Sequence, residues 1–440
     1  MNNLSRLSLD RTPPLWVPLQ FMAVAPLFGV LFAVAMILLG PQVLVSRWMP
    51  GMIGAAHLLV LGYVAMVMFG AMQQMLPVVA GAPVPRGLVT GRLSFTLLAL
   101  GTPLLGIGLI LHQPFWIAVG GALVLGSLGL FTLTALIALA RSQARGPTTQ
   151  AMTLAVIALL VTAVMGGWLA GGHLGLGWPL PRHMTDLHLA WGLLGWVALL
   201  VAGAAYQVVP MFQMTPEYPA LPARLHAPLV FAVLTVLTLT ALLPVPAAAA
   251  KVINMTGSGM LAALMAGFAG VTLWLQSRRR RRNADVTVRF WRIGMVSLLA
   301  AVLVWTVIQL LPGRGLWGVW ALVPAWLFVA GFAVSVINGM LYKIVPFLVW
   351  LHLNQTRMRS GNFEMRVPNM HEVIPLGLTR LQLHLHLAAL VAGLTALAWP
   401  VLLIPAMLLF AASNGLLSWN LFTGIRCYHR CLNAPRPVAD

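Results

Sequence analysis

Acidic side chains are nearly missing from this chain. There are seven in 440 residues, Asp10, Asp186, Glu217, Asp285, Glu364, Glu372 and Asp440, and none lies in the middle of a long apolar run. Proton pumps and cation-coupled carriers ordinarily keep a carboxylate inside the membrane, so proton-coupled work is disfavoured. Cysteine is equally scarce: Cys427 and Cys431 alone give no disulfide framework. No Walker sequence, no serine or cysteine triad and no soluble substrate domain is present. Charged residues of both signs make up 8% of the chain and hydrophobic ones 60%, with a mean hydropathy of +0.93. A chain of this length with so little polar surface reads as a polytopic membrane protein.

What is abundant is apolar sequence in runs of spanning length. They fall near 15–39, 52–79, 90–111, 114–140, 150–172, 186–212, 227–246, 252–276, 290–311, 317–350, 381–399 and 400–425. That predicts an all-α bundle of twelve transmembrane helices, a single transmembrane domain over 1–440. The first run follows Arg6, Asp10 and Arg11 and is long enough to span, so it reads as a retained helix rather than a cleaved leader. Turns are expected at Gln113-Pro114 and Trp399-Pro400, although a kink within one long helix would give the second junction the same sequence.

One stretch occurs three times. Gly62 to Pro77, Gly195 to Pro210 and Gly331 to Pro346 share a glycine, an aromatic residue (Tyr63, Trp196, Phe332), a second glycine (Gly70, Gly203, Gly339), a polar pair and a closing proline. The polar pairs are Gln73-Gln74, Tyr206-Gln207 and Tyr342-Lys343, and Arg92, Arg224 and Arg380 each open the next helix. A period of this length covers several helices, so the expectation is three pseudo-symmetric four-helix repeats, about 1–146, 147–283 and 284–440.

The net charge of +19 sits in short loops, and the aromatic-interleaved basic motifs of nucleic-acid binding are absent. Placing both termini on one side collects 21 arginines there, including Arg278 to Arg282, against Arg47, Arg182, Lys251 and Arg314 opposite. The positive-inside rule then puts both termini in the cytoplasm. The expected setting is the inner (cytoplasmic) membrane, spanned many times, with the lipid bilayer as partner and the five-arginine run as a stop-transfer and headgroup anchor.

Histidines are the informative polar residues. His57 and His188 lie near the outer ends of the second and sixth helices, and each is open to two readings: a haem or copper ligand, or an interfacial histidine hydrogen-bonded across helices. His57 stands 20 residues before Pro77 and His188 stands 22 before Pro210. On a regular helix a two-residue offset is about 200°, so the two are expected on nearly opposite faces. His112, His173 and His183 read as solvated interfacial residues. A second candidate metal set lies at the inner end: His226, His384, His386, Cys427, His429 and Cys431. His384 and His386 are expected to face different partners, and Cys427 and Cys431 have i, i+4 spacing suited to a soft metal such as Cu(I).

Gln74, Gln207 and Lys343, with Asn338, would form an inner polar layer if the three motif helices packed near one axis, the motif glycines permitting close approach. The plainer reading is that these pairs satisfy backbone freed by the prolines and snorkel to water. Lys343 has no counter-ion evident from sequence. The 23 methionines, among them Met66, Met68 and Met72, read as packing.

Three four-helix arcs with termini inside, His57 followed by Leu61-Gly62-Tyr63, and His188 followed by Gly195-Trp196, resemble the catalytic subunit of the haem–copper oxidase superfamily and its divergent relatives such as the NnrS family. The resemblance implies haem as cofactor with copper as a second metal, His57 as a haem ligand, His188 as a metal ligand, a redox partner protein, and respiratory or nitric oxide-related metabolism. Its enzymatic form would be an oxidoreductase acting on nitric oxide or oxygen. That family's His-His pair in helix 7 and His-x-His in helix 10 are missing, as is the Trp-His-x-His start to helix 2 of NnrS proteins. A complete binuclear centre is therefore not expected. The alternatives on the same scaffold are a transporter or permease gated by Gln74, Gln207 and Lys343, and a metallation or assembly factor.

Overall fold

In the computed structural model, residues 13–280, 283–310, 318–361 and 363–433 are described, and every regular element among them is helical. Arg6, Asp10, Arg11, Arg281, Arg282, Arg314, Arg436 and Asp440 lie outside the described residues. Twelve helices are long and apolar enough to cross a bilayer: α1 (Trp16–Leu39), α2 (Pro50–Val78), α3 (Gly87–Ile110), α4 (Pro114–Arg141), α5 (Pro147–His173), α6 (Arg182–Gln213), α7 (Ala220–Leu242), α8 (Ala247–Ser277), α9 (Val286–Leu310), α10 (Gly318–Ser360), α11 (Leu376–Ala398) and α12 (Pro400–Leu432). Both proline junctions are turns. His112 takes a left-handed conformation (φ 50°) before α4, and after Trp399 the chain re-enters through a short 3₁₀ turn, so that α12 folds back along α11.

The spans close into a ring. α4 packs on α5, α8 on α9, and α12 returns to α1, while α2, α6 and α10 pack on α1, α5 and α9. These three are the most buried spans, and they carry the motif. Its second glycine explains the contact. A Cβ at Gly70, Gly203 or Gly339 would come within 2.8 Å of the Pro18 carbonyl on α1, Ala151 on α5 or Phe290 on α9, respectively. The glycines therefore let each motif span approach the span before it. These glycines meet the preceding span rather than another motif span.

Side chains join the motif spans to one another. Phe69 of α2 stacks on Phe131 of α4 with centroids 3.6 Å apart, and Trp196 of α6 meets both rings edge-on at 6.1 Å. Tyr63 of α2 donates a hydrogen bond to Asn338 of α10, and Phe212 of α6 meets Phe347 of α10 at 5.9 Å. In lipid, packing and polar contacts of this kind hold spans together because apolar burial alone gives little preference. Met66, Met68 and Met72 are buried in this core, as packing requires.

Candidate functional site

Each motif span contains a wide, π-helical turn that composition does not announce: Val60–Ala65 in α2, Trp191–Ala198 in α6 and Leu327–Val334 in α10. Such turns take more residues per revolution than an α-helix and are frequent at functional sites. The first has 6 residues and the second has 8. That difference of two matches the two-residue discrepancy in the spacing of His57 and His188 from their prolines. Counted from the start of the wide turn, the two histidines stand at the same place, three residues before Val60 and three before Trp191. Pro324 holds the corresponding place three residues before Leu327 in α10.

The expectation that His57 and His188 point to opposite faces is therefore wrong, because regular-helix counting does not survive a wide turn. The imidazoles are neighbours, with centroids 6.3 Å apart and ring planes 21° from parallel. His57 Nδ1 lies 2.8 Å from the Ile53 carbonyl one turn back, and His188 Nδ1 lies 3.0 Å from the Thr162 carbonyl on α5. Carbonyls only accept, so both Nδ1 atoms carry the proton and both Nε2 lone pairs stay free. Anchoring of this type fixes the orientation and tautomer of a metal-ligating histidine.

α5 supplies the seat for His188. A Cβ at Gly166 would lie 3.0 Å from its Cε1. At the same end, Arg47 from the α1–α2 loop pairs with Asp186 at 2.6 Å, tying that loop to α6 two residues before His188. Around the rings the otherwise buried motif spans become half-exposed, at Ile53, Val60 and Leu61 on α2 and at Gly192, Leu193 and Leu194 on α6. Below them, from Gly62 to Gly70 and from Gly195 to Gly203, every residue is buried. The two imidazoles thus lie at the arginine-poor end of the bundle, where the motif spans are only partly buried. His173 lies within electrostatic range of His57, and His112 of His173, whereas His183 is exposed.

The second metal set does not assemble. His226 is buried on α7 against Phe268, His386 is buried on α11 with its Nε2 2.7 Å from Ser335 Oγ, and His384 is exposed, facing away from His386 as its spacing predicts. Cys427 and Cys431 are neighbours on α12, but His429 turns to Trp16, with ring centroids 6.0 Å apart. A residue midway between i and i+4 projects to the other side of a helix, so the three cannot share an ion. Among the described residues no group of three His, Cys, Asp or Glu side chains is placed to hold a metal.

The inner polar layer is also corrected. Lys343 does have a counter-ion: its Nζ lies 2.7 Å from Asp285 Oδ2, at the start of α9. Gln74 is buried with its Oε1 unpartnered, and Gln207 is half-buried. No hydrogen bond joins Gln74, Gln207 and Lys343 among the described residues. No family model matches the chain, and no curated protein matches it either.

Proposed function

We propose that the protein is a membrane haem protein in which His57 and His188 would hold one iron porphyrin. The reading rests on two neutral imidazoles whose centroids lie 6.3 Å apart near the outer ends of α2 and α6, each anchored through Nδ1. At that separation both imidazoles are close enough to serve one bound group. A bare divalent ion in a protein ordinarily takes three or more protein ligands. Among the described residues no third His, Cys, Asp or Glu joins the two imidazoles, and such a donor set would suit a metal whose remaining positions are filled by a macrocycle.

Bound iron porphyrin supplies one-electron chemistry. The chain's residues do the rest. Ile53 and Thr162 hold the imidazoles in the ligating tautomer, Gly166 leaves room for the His188 ring, and Arg47 with Asp186 fixes the end of α6. If both His57 and His188 held the iron, the group would be suited to passing single electrons. We read the scaffold as three four-helix repeats related to haem–copper oxidase subunits, with both termini cytoplasmic in an inner membrane and a redox protein as partner. The period-four contacts of α1, α5 and α9 with α2, α6 and α10 support the repeats, and the arginine asymmetry supports the orientation. Copper is not assigned, since Cys427, His429 and Cys431 diverge.

Spectra of the purified protein test this reading. Wild type should carry low-spin haem, and His57→Ala and His188→Ala should each abolish the low-spin signal. Colourless protein after expression with ample haem supply would contradict it.

A further inference from the structure

The last turns of α12 present a mixed face at the arginine-rich end of the bundle. Phe422, Arg426 and Arg430 follow one another at four-residue steps, and Ile425, His429 and Asn433 form the row beside them, so both rows share one side of the helix. With Trp16 at the start of α1 they line an open cleft of about 690 Å³. Trp16 and His429 approach with ring centroids 6.0 Å apart, which puts the cleft on the seam where the first span meets the last. A volume of this size is ordinary for a ligand site.

Its cations lack an anion. The Arg426 guanidinium is held by aromatic faces, with its Cζ 4.7 Å from the ring centres of both Trp419 and Phe422. Among the described residues neither Arg426 nor Arg430 pairs with a carboxylate, whereas Lys343 pairs with Asp285 at 2.7 Å and Arg366 with Glu372 at 3.5 Å. Glu372 comes within electrostatic range of Cys427 on the flank of α12, but Arg366 already matches it. A guanidinium stacked on rings keeps its N–H edge free, and that edge fits phosphate.

The same side of α12 is apolar and uncovered along its length. Ile404, Leu408, Trp419 and Phe422 are each about half exposed, and a Cβ at Gly415, between them, would meet nothing. Steps of three, four and seven residues align these positions in one stripe that ends at Arg426. A free anion would use the arginines alone. An anionic amphiphile uses both parts.

We propose that the cleft between α1 and α12 binds the phosphate of one anionic phospholipid, with an acyl chain lying along the stripe from Phe422 to Ile404. Arg426 and Arg430 hold the phosphate, and Trp16 and Ile425 cover the glycerol. Basic pockets between transmembrane helices suit headgroups of this charge. A headgroup with net negative charge, as in phosphatidylglycerol, is preferred, because the ammonium of a zwitterionic lipid would face the arginines. The site does not depend on how His57 and His188 are read.

Photolabelling of wild-type protein in nanodiscs tests the site without any substitution. Phosphatidylglycerol carrying a diazirine near its glycerol should crosslink to Trp16 and to residues 419–433 about fivefold or more above the matching phosphatidylcholine probe. Unlabelled phosphatidylglycerol should suppress that crosslink, and millimolar inorganic phosphate should not. Crosslinks spread evenly over the lipid-facing spans, or suppression by inorganic phosphate as strong as by the lipid, would overturn the proposal. Native mass spectrometry gives a second test. Wild type should retain phosphatidylglycerol through detergent exchange, and Arg426→Gln/Arg430→Gln should retain about tenfold less. Arg92→Gln/Arg224→Gln, which removes the same charge from other spans at that end, should retain it as wild type does. Equal retention by both double variants, whether high or low, would contradict a site at this cleft.

Discussion

α2 and α6 differ from α10 at one position that matters. All three contain a wide turn, and all three pack through a glycine on the span before them. Three residues ahead of the turn, α2 and α6 carry histidine, whereas α10 carries Pro324. Where histidines occupy this place the two imidazoles come together at the outer ends of the spans. In α10, Trp326 fills the neighbouring space, with its Nε1 donating to the Leu390 carbonyl at 3.0 Å beside an apolar cavity of about 110 Å³. The polar groups of α10 lie deeper, at Ser335, Asn338 and Tyr342. A common backbone therefore carries a pair of neighbouring imidazoles on two spans and a hydrogen-bonded interior on the third.

The sharpest way to break this comparison is to remove an imidazole. His57→Ala or His188→Ala should cost more than tenfold in bound haem, because a single axial ligand leaves the opposite metal face empty. Haem-to-protein ratio measures it. Nearly as large an effect should follow from deleting Leu193 within the wide turn of α6. Converting that turn toward a regular helix rotates the following register by about 100° relative to His188, which should separate the two rings although both histidines remain. Deleting Val329 from the wide turn of α10 should leave haem content near wild type, and the same pyridine-haemochrome assay separates the cases.

A smaller effect is expected from Gly166→Ala, where the new Cβ would sit 3.0 Å from His188 Cε1. Overpacking of this kind typically costs about 1–3 kcal/mol, read as a severalfold weaker retention of haem and a broadened low-spin signal. The smallest change should come from Lys343→Met. Its pair with Asp285 keeps 21% and 27% of the two side chains exposed, so the loss of stability should be on the order of 1 kcal/mol, and the thermal unfolding midpoint should move little.

Much of the fold was legible in the sequence, since hydropathy alone separates the twelve spans and proline marks both tight turns. The site was legible only in part. His57 and His188 stand out as rare polar residues in apolar helices, yet their pairing was hidden. Counting at 100° per residue assumes a regular helix, and nothing in VLGYVA or WGLLGWVA declares a wide turn. The one available signal was the unequal spacing to Pro77 and Pro210, which marks an insertion rather than a different face. Lys343 looked unpaired because Asp285 lies on another span, and Cys427, His429 and Cys431 looked like a cluster because proximity in sequence is not convergence on a helix.

Electron paramagnetic resonance of the oxidised, purified protein tests the central claim most directly. A low-spin ferric signal of two near-parallel imidazoles, lost in both His57→Ala and His188→Ala, is the predicted result. A high-spin signal, or a low-spin one that survives either substitution, would contradict ligation of one iron by this pair.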